Sequence, residues 1–373
     1  MSAVHQFLPS FAEGDAIGAH ARGLQRILRD AGYRSDIYAD EIHPAARRWA
    51  RPWRQFDHDA DGSEPARLLY HLSTGSPMAA ALAERAGPDG LDVYYHNITP
   101  AEFFDRWEPA GADSVGVARQ QMRKLASSAR LAMANSAFSE AELRREGYAD
   151  TAVVPLAVDF SAYDVDPDPA AAARLASAGA GGDRWLFVGR VAPNKCQHDV
   201  IAAFAVYRKL FGGAARLTLI GGKTSSLYHR ALVQLVDELD LGGAVEVADR
   251  VGFAELVAHY RAATVFVCAS EHEGFCVPLV EAMHFGVPVV AFGAAAVPET
   301  VGDAGVCLPA KDPVLVATAV HRVRTDEGLR RRLVDAGRAR AEHFSFAETA
   351  RRFLDVYGQT AGRRAGAPTG KQP

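Results

Sequence analysis

Short apolar runs alternate with helical segments along most of the chain, and this order limits the possible folds more than any other feature. Strand-like runs such as "ARLAMANS", "RWLFVGRV", "ARLTLIGG" and "TVFVCAS" come shortly before helical segments such as "SEAELRREGY", "QHDVIAAFAVYRKLF", "YHRALVQLVDELDL" and "PLVEAMHFG". This order is typical of parallel strands joined by crossover helices. The sequence therefore predicts an α/β protein with doubly wound parallel sheets.

The length of the chain predicts two domains, because 373 residues exceed what one core usually supports. The segment "DPDPAAAARLASAGAGGD" is rich in Asp, Pro, Gly and Ala, which is typical of a domain boundary. We expect Rossmann-like domains over residues 1–160 and 161–345, facing a central cleft, and a disordered tail over 361–373. Ligands in such sheets bind beyond the carboxyl ends of the strands.

Composition excludes several classes of protein. The net charge of −4 argues against a nucleic-acid-binding protein, which would show a basic excess. The sequence has no apolar run long enough to span a bilayer and no signal-peptide pattern at its start. Four cysteines without a C-x-x-C pair predict free thiols rather than a zinc site or a disulfide framework. We therefore expect a cytoplasmic protein.

One basic segment leaves two interpretations open. "HPAARRWARPWRQF", residues 43–56, interleaves arginines with tryptophans. Such a segment can touch the acceptor or an anionic lipid surface, and the latter would place the protein peripherally at the inner membrane face. A charged loop that covers the first domain is the other interpretation.

Three segments, "VGRVAPNK", "IGGK" and "SEHEGFC", each follow a predicted strand, so we expect them at one rim of the second sheet. A helix should begin near Pro278, which suits a first helical turn. Cys276 and Val277 before it have no side-chain oxygen to cap the N–H groups. This helix start should therefore attract an anion.

Two carboxylates flank that helix start, with an E-x₇-E spacing from Glu273 to Glu281. Because like charges beside an anion are costly, each carboxylate should bind hydroxyl groups instead. A sugar nucleotide supplies both a diphosphate and the hydroxyl groups of ribose and sugar. Arg190 and Lys195 can reach the diphosphate from "GRVAPNK", and the absence of a D-x-D motif beside these segments predicts a reaction without a metal.

The segments "FVGRVAPNKCQHDVIAAF", "SEHEGFCVPLVEAMHFGVPVV" and "NSAFSEAELRREGY" resemble the retaining family-4 glycosyltransferases of the GT-B fold. The resemblance covers most of the chain and is densest from Trp185 to Leu308. "YYHNITPAEFF" is similar to bacterial enzymes that build polysaccharides or glycolipids. The resemblance implies transfer of a sugar, with retention, from a GDP- or UDP-linked donor to a glycan or lipid-linked acceptor, without a cofactor. It also implies that a final helix over 346–360 packs back on the first domain.

The resemblance assigns roles to individual residues. Arg190 and Lys195 would bind the donor diphosphate, Glu281 the ribose and Glu273 the transferred sugar. His96 would approach the sugar near its reacting carbon. Further donor contacts are implied for the first loop and for the turn before the helix: Gly14, Asp15, Gly274, Phe275, Cys276 and Val277.

The sequence departs from the family pattern at several positions. Cys196 and Cys276 stand where the family commonly has glycine, and the glycine-rich first loop is reduced to "EGDAIG". Leu156 and Ala157 replace an asparagine–glycine pair at the interdomain junction. The donor base, the sugar, the acceptor and the oligomeric state are not predicted by these residues.

Two other functional classes stay open. An NAD-dependent oxidoreductase can use a Rossmann-like fold, but "FAEGDAIGAHARG" lacks the G-x-G-x-x-G turn that it needs. NADH titration tests that class. A non-catalytic nucleotide-sugar-binding protein would keep the binding residues without transferring a sugar, and a transfer assay tests it.

Overall fold

The computed structural model describes residues 2–12, 14–56, 66–86, 90–177 and 182–365, with only the backbone described over 359–365. It divides the chain into two units. The first contains Met1–Ile98, Val117–Val158 and Phe344–Pro373, and the second contains Thr99–Gly116 and Asp159–His343.

The first unit is built on a seven-stranded parallel sheet with the strand order β3-β2-β1-β4-β5-β6-β7. Its strands are β1 (Val4–Phe11), β2 (Ile37–Ile42), β3 (Arg51–Pro52), β4 (Arg67–Leu72), β5 (Leu91–Tyr95), β6 (Ala129–Ala134) and β7 (Thr151–Val153). Its helices are α1 (Ala16–Asp30), α2 (Met78–Ala86), the end of α3 (Pro109–Leu125), α4 (Ala137–Arg145) and α13 (Phe346–Ala365).

The second unit is built on a six-stranded parallel sheet with the order β10-β9-β8-β11-β12-β13. Its strands are β8 (Arg184–Val188), β9 (Arg216–Ile220), β10 (Val245–Ala248), β11 (Val265–Cys268), β12 (Val289–Phe292) and β13 (Gly305–Leu308). Its helices are α5 (Pro169–Ser177), α6 (Gln197–Leu210), α7 (Ser226–Glu238), α8 (Phe253–Ala262), α9 (Val277–His284), α10 (Val297–Val301), α11 (Pro313–Thr325) and α12 (Glu327–Glu342).

Central strands of both sheets are buried on both faces. Every residue of β5 and of β11 is buried. Parallel sheets covered by helices on both faces need buried and largely apolar strands of this kind. Asp92, the charged residue of β5, is paired with Arg67 and Arg130. The sequence prediction of two doubly wound parallel sheets is confirmed.

Part of the predicted first domain belongs to the second unit. The range 1–160 included residues 99–116, which the structure groups with the second sheet. The Trp107 ring packs edge-on against Tyr228 with centroids 5.2 Å apart, and the Trp107 carbonyl accepts a 2.6 Å hydrogen bond from Ser225 Oγ. The ring packing of this partly buried indole and the hydrogen bond to the Trp107 carbonyl hold the segment on the second unit.

The last helix is longer than the sequence suggested, and it belongs to the first unit. α13 continues from Phe346 to Ala365, so residues 361–365 of the predicted tail are helical. The remainder, 366–373, lies outside the described residues. Tyr357 donates a 2.5 Å hydrogen bond to Asp92 on β5, and Arg67 stacks over the Tyr357 ring at 3.6 Å. These contacts attach α13 to the sheet of the first unit.

The basic segment 43–56 packs against the first unit through Trp53, which is 9% exposed and donates a 2.9 Å hydrogen bond from Nε1 to Asp40. Within the described part of the chain, no helix combines the length and the apolar character that crossing a bilayer requires.

Candidate functional site

Three loops meet at the carboxyl edge of the second sheet, as the sequence predicted for "VGRVAPNK", "IGGK" and "SEHEGFC". They follow β8, β9 and β11. Asn194 joins the first loop to the third by two hydrogen bonds. Its side-chain Nδ2 donates to the His272 backbone carbonyl at 3.1 Å, and its backbone carbonyl accepts from the Glu271 N–H at 2.9 Å. Val191 N–H donates to the Gly222 carbonyl at 2.9 Å and joins the first loop to the second.

The first two loops approach so closely that glycine is required. A Cβ placed on Gly221 would lie 2.0 Å from the Gly189 carbonyl oxygen. Any side chain would therefore separate the loops. The backbones of the "GR" and "IGG" segments are therefore packed directly against each other.

Two helices begin at this rim without a side-chain cap. α6 follows Cys196 and α9 follows Cys276, and in both cases no side chain bonds to the first N–H groups of the helix. By contrast, Ser225 caps α7 and Asp312 caps α11. The uncapped amides and the helix dipoles give both starts a partial positive charge, which favours an anion.

The cysteines at the two N-cap positions have a left-handed backbone, with φ of 51° at Cys196 and 71° at Cys276. Glycine adopts this conformation without the steric cost that a Cβ brings. Glycine, which the sequence resemblance implies at the two positions, would form the same turn without this cost. The cysteines keep the turn that glycine would form, at a cost of about 1 kcal/mol each.

Lys195 and Glu273 form a buried ion pair at the rim. Nζ of Lys195 lies 2.6 Å from Oε2 of Glu273, and the two side chains are 14% and 8% exposed. Lys195 ends a short 3₁₀ turn directly before α6, and Glu273 lies three residues before the α9 cap. The structure therefore brings these two predicted residues together between the uncapped helix starts.

Arg190 lies on the same loop with an exposed side chain. Its carbonyl accepts a 2.8 Å hydrogen bond from Gln197 Nε2, which fixes the backbone of the loop. A guanidinium at this position adds a second cation to the rim.

Glu281 points inward from the second turn of α9. Its two oxygens accept hydrogen bonds from Tyr163, at 2.5 Å, and from Tyr260, at 2.6 Å. Burial raises the pKa of this carboxyl group, and the two tyrosine hydroxyls oppose that shift. The sequence predicted the position of Glu281 but not its two tyrosine partners.

Two groups of side chains at the rim could hold a metal ion. Cys268, Glu273 and Cys276 place their ligand atoms within 4.8 Å of one another, and so do Cys196, His198 and Asp199. In the first group the two thiols hydrogen-bond to each other, which together with burial raises the pKa of Cys276, and Glu273 is paired with Lys195. The three side chains of the first group therefore have partners within the protein. Metal independence stays a prediction.

The predicted first-loop residues lie in the first unit at the start of α1. Asp15 caps this helix, because its Oδ2 accepts a 3.4 Å hydrogen bond from the Gly18 N–H. Gly14 has φ of 76° and open space around its Cα. A donor contact for either residue stays a prediction.

His96 follows β5 in the first unit and is 8% exposed. Its Nε2 lies 2.8 Å from Nδ1 of His71, whose Nε2 lies 2.9 Å from Oε1 of Gln6. Burial, together with His71 and His20, holds the pKa of His96 well below that of a free histidine. The sequence identified His96 alone, whereas the structure shows it at the end of a buried polar chain.

Asn194 and Gln197 are rim residues that the sequence prediction missed. Both are buried and order the rim loops, and in the described part of the chain Asn194 Oδ1 and Gln197 Oε1 are buried without a hydrogen-bond partner. Polar side chains on either side of Lys195, at a strand-to-helix turn, were the available signal.

The chain is similar to known proteins, first over the region that contains the rim and then over nearly its full length. Residues 180–340 match the model of the family described as "Glycosyl transferases group 1". The D-inositol 3-phosphate glycosyltransferase of Kineococcus radiotolerans is 31% identical over 240 residues, which are 60% of this chain and 55% of that protein. The chain thus spans about half the length of this curated relative.

Solved structures extend the similarity to nearly the full length. Sucrose-phosphate synthase from Thermosynechococcus elongatus superposes with a TM-score of 0.75 at 20% identity, over 97% of this chain and 100% of that one. Alr3699/HepE of Anabaena, in complex with UDP-glucose, superposes with a TM-score of 0.72 at 17% identity, over 95% and 99%. The fold is GT-B. In this GT-B fold the family match falls on the second unit, which carries Lys195, Glu273 and Glu281.

Proposed function

We propose that the protein is a retaining, metal-independent glycosyltransferase of the family-4 type. It transfers a sugar from a nucleoside diphosphate to a hydroxyl group of a glycan or lipid-linked acceptor. The observation that carries the proposal is the Lys195–Glu273 pair between two uncapped helix starts, with Glu281 one turn further along α9.

The diphosphate is the part of the donor that this rim fits best. Its negative charges would be bound by Lys195, by Arg190 and by the amides at the start of α9, including those of Gly274, Phe275, Cys276 and Val277. These groups are in place before the donor arrives and would stabilise the negative charge that develops on the leaving diphosphate. In the proposed complex, the Lys195 ammonium group contacts a phosphate oxygen as well as the Glu273 carboxylate.

The carboxylates would bind hydroxyl groups of the donor. A carboxylate has about four lone-pair sites, so Glu281 can still accept bonds from a ribose after its two tyrosine bonds are made. Glu273 would accept from the transferred sugar. Because Glu273 is paired with Lys195, its negative charge is compensated and it is a poor covalent nucleophile.

Retention without a covalent nucleophile requires a front-face reaction. In this mechanism the acceptor hydroxyl attacks from the side on which the diphosphate leaves. The bond from the anomeric carbon to the phosphate oxygen breaks as the bond to the acceptor oxygen forms. The departing phosphate takes the proton of the acceptor hydroxyl, so that no separate protein base is needed.

Similarity to glycosyltransferases supports the proposal. The family match covers the rim residues, and the Kineococcus relative is a D-inositol 3-phosphate glycosyltransferase. The HepE structure contains UDP-glucose. We therefore favour a UDP- or GDP-linked donor, and we place the enzyme in the cytoplasm or at the inner face of the membrane.

A transfer assay with NMR detection tests the proposal. The chain is incubated with UDP-linked and GDP-linked sugars, EDTA and a panel of hydroxyl acceptors, and the anomeric configuration of the product is read directly. We expect a product that keeps the donor configuration. An inverted product would contradict retention, and activity only after metal addition would contradict metal independence.

The same assay, combined with titrations of nucleotide sugars and of NADH, separates the other functional classes. Saturable donor binding without transfer or hydrolysis would favour a non-catalytic nucleotide-sugar-binding protein. Tight NADH binding in place of nucleotide-sugar binding would favour an oxidoreductase.

A further inference from the structure

A chain of polar side chains is buried in the core of the first unit. Gln6 lies on β1, His71 lies on β4, and His96 comes directly after β5; these three strands are neighbours in the sheet. Gln6 and His71 are 0% exposed and His96 is 8% exposed. Polar groups this deeply buried are stable only when their hydrogen bonds are well defined.

The orientation of the Gln6 amide is set by the backbone. Its Nε2 lies 3.0 Å from the carbonyl oxygen of Ala21, which can only accept a hydrogen bond. The amide nitrogen must therefore face Ala21, and Oε1 must face His71. That oxygen lies 2.9 Å from Nε2 of His71.

The position of the proton on His71 follows from this orientation. Because Oε1 of Gln6 can only accept, Nε2 of His71 must carry the hydrogen. Burial lowers the pKa of His71 to about 3, so the ring is neutral and carries one N–H only. Its Nδ1 therefore has a lone pair.

His96 completes the chain. Its Nε2 lies 2.8 Å from the bare Nδ1 of His71, so Nε2 of His96 must be the donor. A neutral His96 then has its lone pair on Nδ1. In the described part of the chain this Nδ1 is buried and has no hydrogen-bond partner.

We propose that Gln6 and His71 are positioning residues, which hold His96 as a hydrogen-bond acceptor at Nδ1 for a hydroxyl group of the substrate. This inference rests on the proposed function, because a sugar or an acceptor supplies the hydroxyl. In this state His96 accepts a hydrogen bond and has no proton to give from the Nδ1 atom. It therefore orients a hydroxyl rather than acting as a general acid.

The surroundings keep the ring neutral. Among the described residues, the titratable rings packed against His96 are those of His20 on α1, His71 on β4 and Tyr94 on β5, with centroids 5.5, 5.1 and 4.8 Å away. Burial lowers the pKa of His20 and raises the pKa of Tyr94, so both are neutral near pH 7. A neutral His96 is thus expected throughout the range in which a free histidine titrates.

His20 supports a polar occupant at this place. It is 1% exposed, its ring stands nearly perpendicular to that of His96, and neither of its nitrogens has a partner among the described residues. Three unpaired nitrogens on two adjacent imidazoles would be costly in a sealed apolar core. A hydroxyl group can donate to one of them and accept from another.

Histidine ¹⁵N chemical shifts test the tautomers in the intact wild-type protein. Two-bond ¹H–¹⁵N correlations distinguish an Nε2–H ring, an Nδ1–H ring and an imidazolium. His71 and His96 signals are assigned by loss in His71→Asn and His96→Asn chains. We expect both rings in the Nε2–H form from pH 6 to pH 8. An Nδ1–H ring or an imidazolium at His96 would overturn the inference, whatever the activity of the protein.

A matched pair of variants tests the positioning role. Gln6→Met removes the acceptor for His71 while keeping the side-chain volume. Gln25→Met is the control, since Gln25 is also buried and also donates from Nε2 to a backbone carbonyl, that of Ser35 at 3.0 Å, but lies outside the chain. We expect Gln6→Met to give mixed His96 tautomers and to lower kcat about tenfold, with the donor KM changed less than about twofold.

The outcomes separate this inference from the proposed function. Equal kcat values for Gln6→Met and Gln25→Met would overturn the positioning role, as would unchanged His96 tautomers in Gln6→Met. Absence of sugar transfer by the wild-type protein would contradict the proposed function. The ¹⁵N shifts of the wild-type protein would still show whether His96 has its lone pair on Nδ1.

Discussion

Lys195 and Glu273 are the residues on which the proposed donor site depends most, and they also affect stability. Lys195→Met would leave the Glu273 carboxylate buried without its cation. We expect a loss of about 3 kcal/mol in the free energy of unfolding, because breaking a buried pair costs more than removing both charges. The double variant Lys195→Met/Glu273→Gln should recover most of that loss. Urea denaturation of the three chains measures it.

An exposed arginine provides the control for this comparison. Arg331 on α12 is exposed, and Arg331→Met should leave the unfolding free energy unchanged within about 0.5 kcal/mol. If the single Lys195 variant and the double variant are equally stable, the ion pair is not the compensating interaction that the structure indicates.

Glu281 gives a pH-dependent prediction. Its pKa is raised in the folded state, so the folded protein holds a proton that the unfolded chain releases at lower pH. Its contribution to stability is therefore fully present below the ordinary pKa of glutamate and is lost as the pH rises through the raised pKa. Glu281→Gln removes this loss, and its stability relative to wild type should increase from pH 4 to pH 8 in urea titrations.

The same variant should bind the donor more weakly, by roughly tenfold, since the amide is a weaker acceptor for ribose hydroxyls. A residue that costs stability at neutral pH and supports binding is typical of a functional site. A Glu281→Gln chain with wild-type donor affinity would show that this carboxylate only accepts hydrogen bonds from its two tyrosines and does not bind the donor.

The sequence predicted that these charged residues lie near the rim, but not what they contact. Lys195, Glu273 and Glu281 could be found because each lies at a fixed distance from a strand end or helix start. Tyr163 lies 118 positions from its partner Glu281. Tyrosine is common in cores, so nothing in its local pattern indicated this bond.

At the scale of secondary structure, the closest backbone contact of the rim can be tested directly. Gly221→Ala would place a Cβ 2.0 Å from the Gly189 carbonyl oxygen, so the loops after β8 and β9 must move apart. We expect a loss of about 2 kcal/mol in the free energy of unfolding, measured in urea. Gly242→Ala is the matched control, because a Cβ there meets no atom within 4 Å. Equal effects of the two variants would contradict the close packing of the loops.

β1 shows why some elements could not be predicted. The run "VHQFLPSF" contains histidine, glutamine, proline and serine, which weakens any strand pattern. Gln6 is nevertheless fully buried, because its amide bonds to Ala21 and to His71. Those partners are brought close only by the folded sheet. The continuous apolar run of β11, "VFVC", was predicted because its burial needs no such polar partners.

At the scale of the whole molecule, the alternating strand–helix order was sufficient to predict two parallel-sheet domains. The limits of the domains were harder to predict, because composition marks a linker but not a segment that packs elsewhere. Residues 99–116 precede α4 in the chain, yet Trp107 fixes them to the second unit through Tyr228 and Ser225. Such long-range packing has no local sequence signal.

The central claim is that the rim of the second sheet binds a nucleoside diphosphate without a metal. Calorimetric titration of UDP and of GDP into the intact chain in EDTA tests it most directly, with Arg190→Met and Arg331→Met as a pair of exposed-arginine variants. The account predicts saturable binding of at least one nucleotide, weakened roughly tenfold by Arg190→Met and unchanged by Arg331→Met. Absence of binding to both nucleotides, or equal affinities of the two variants, would contradict it.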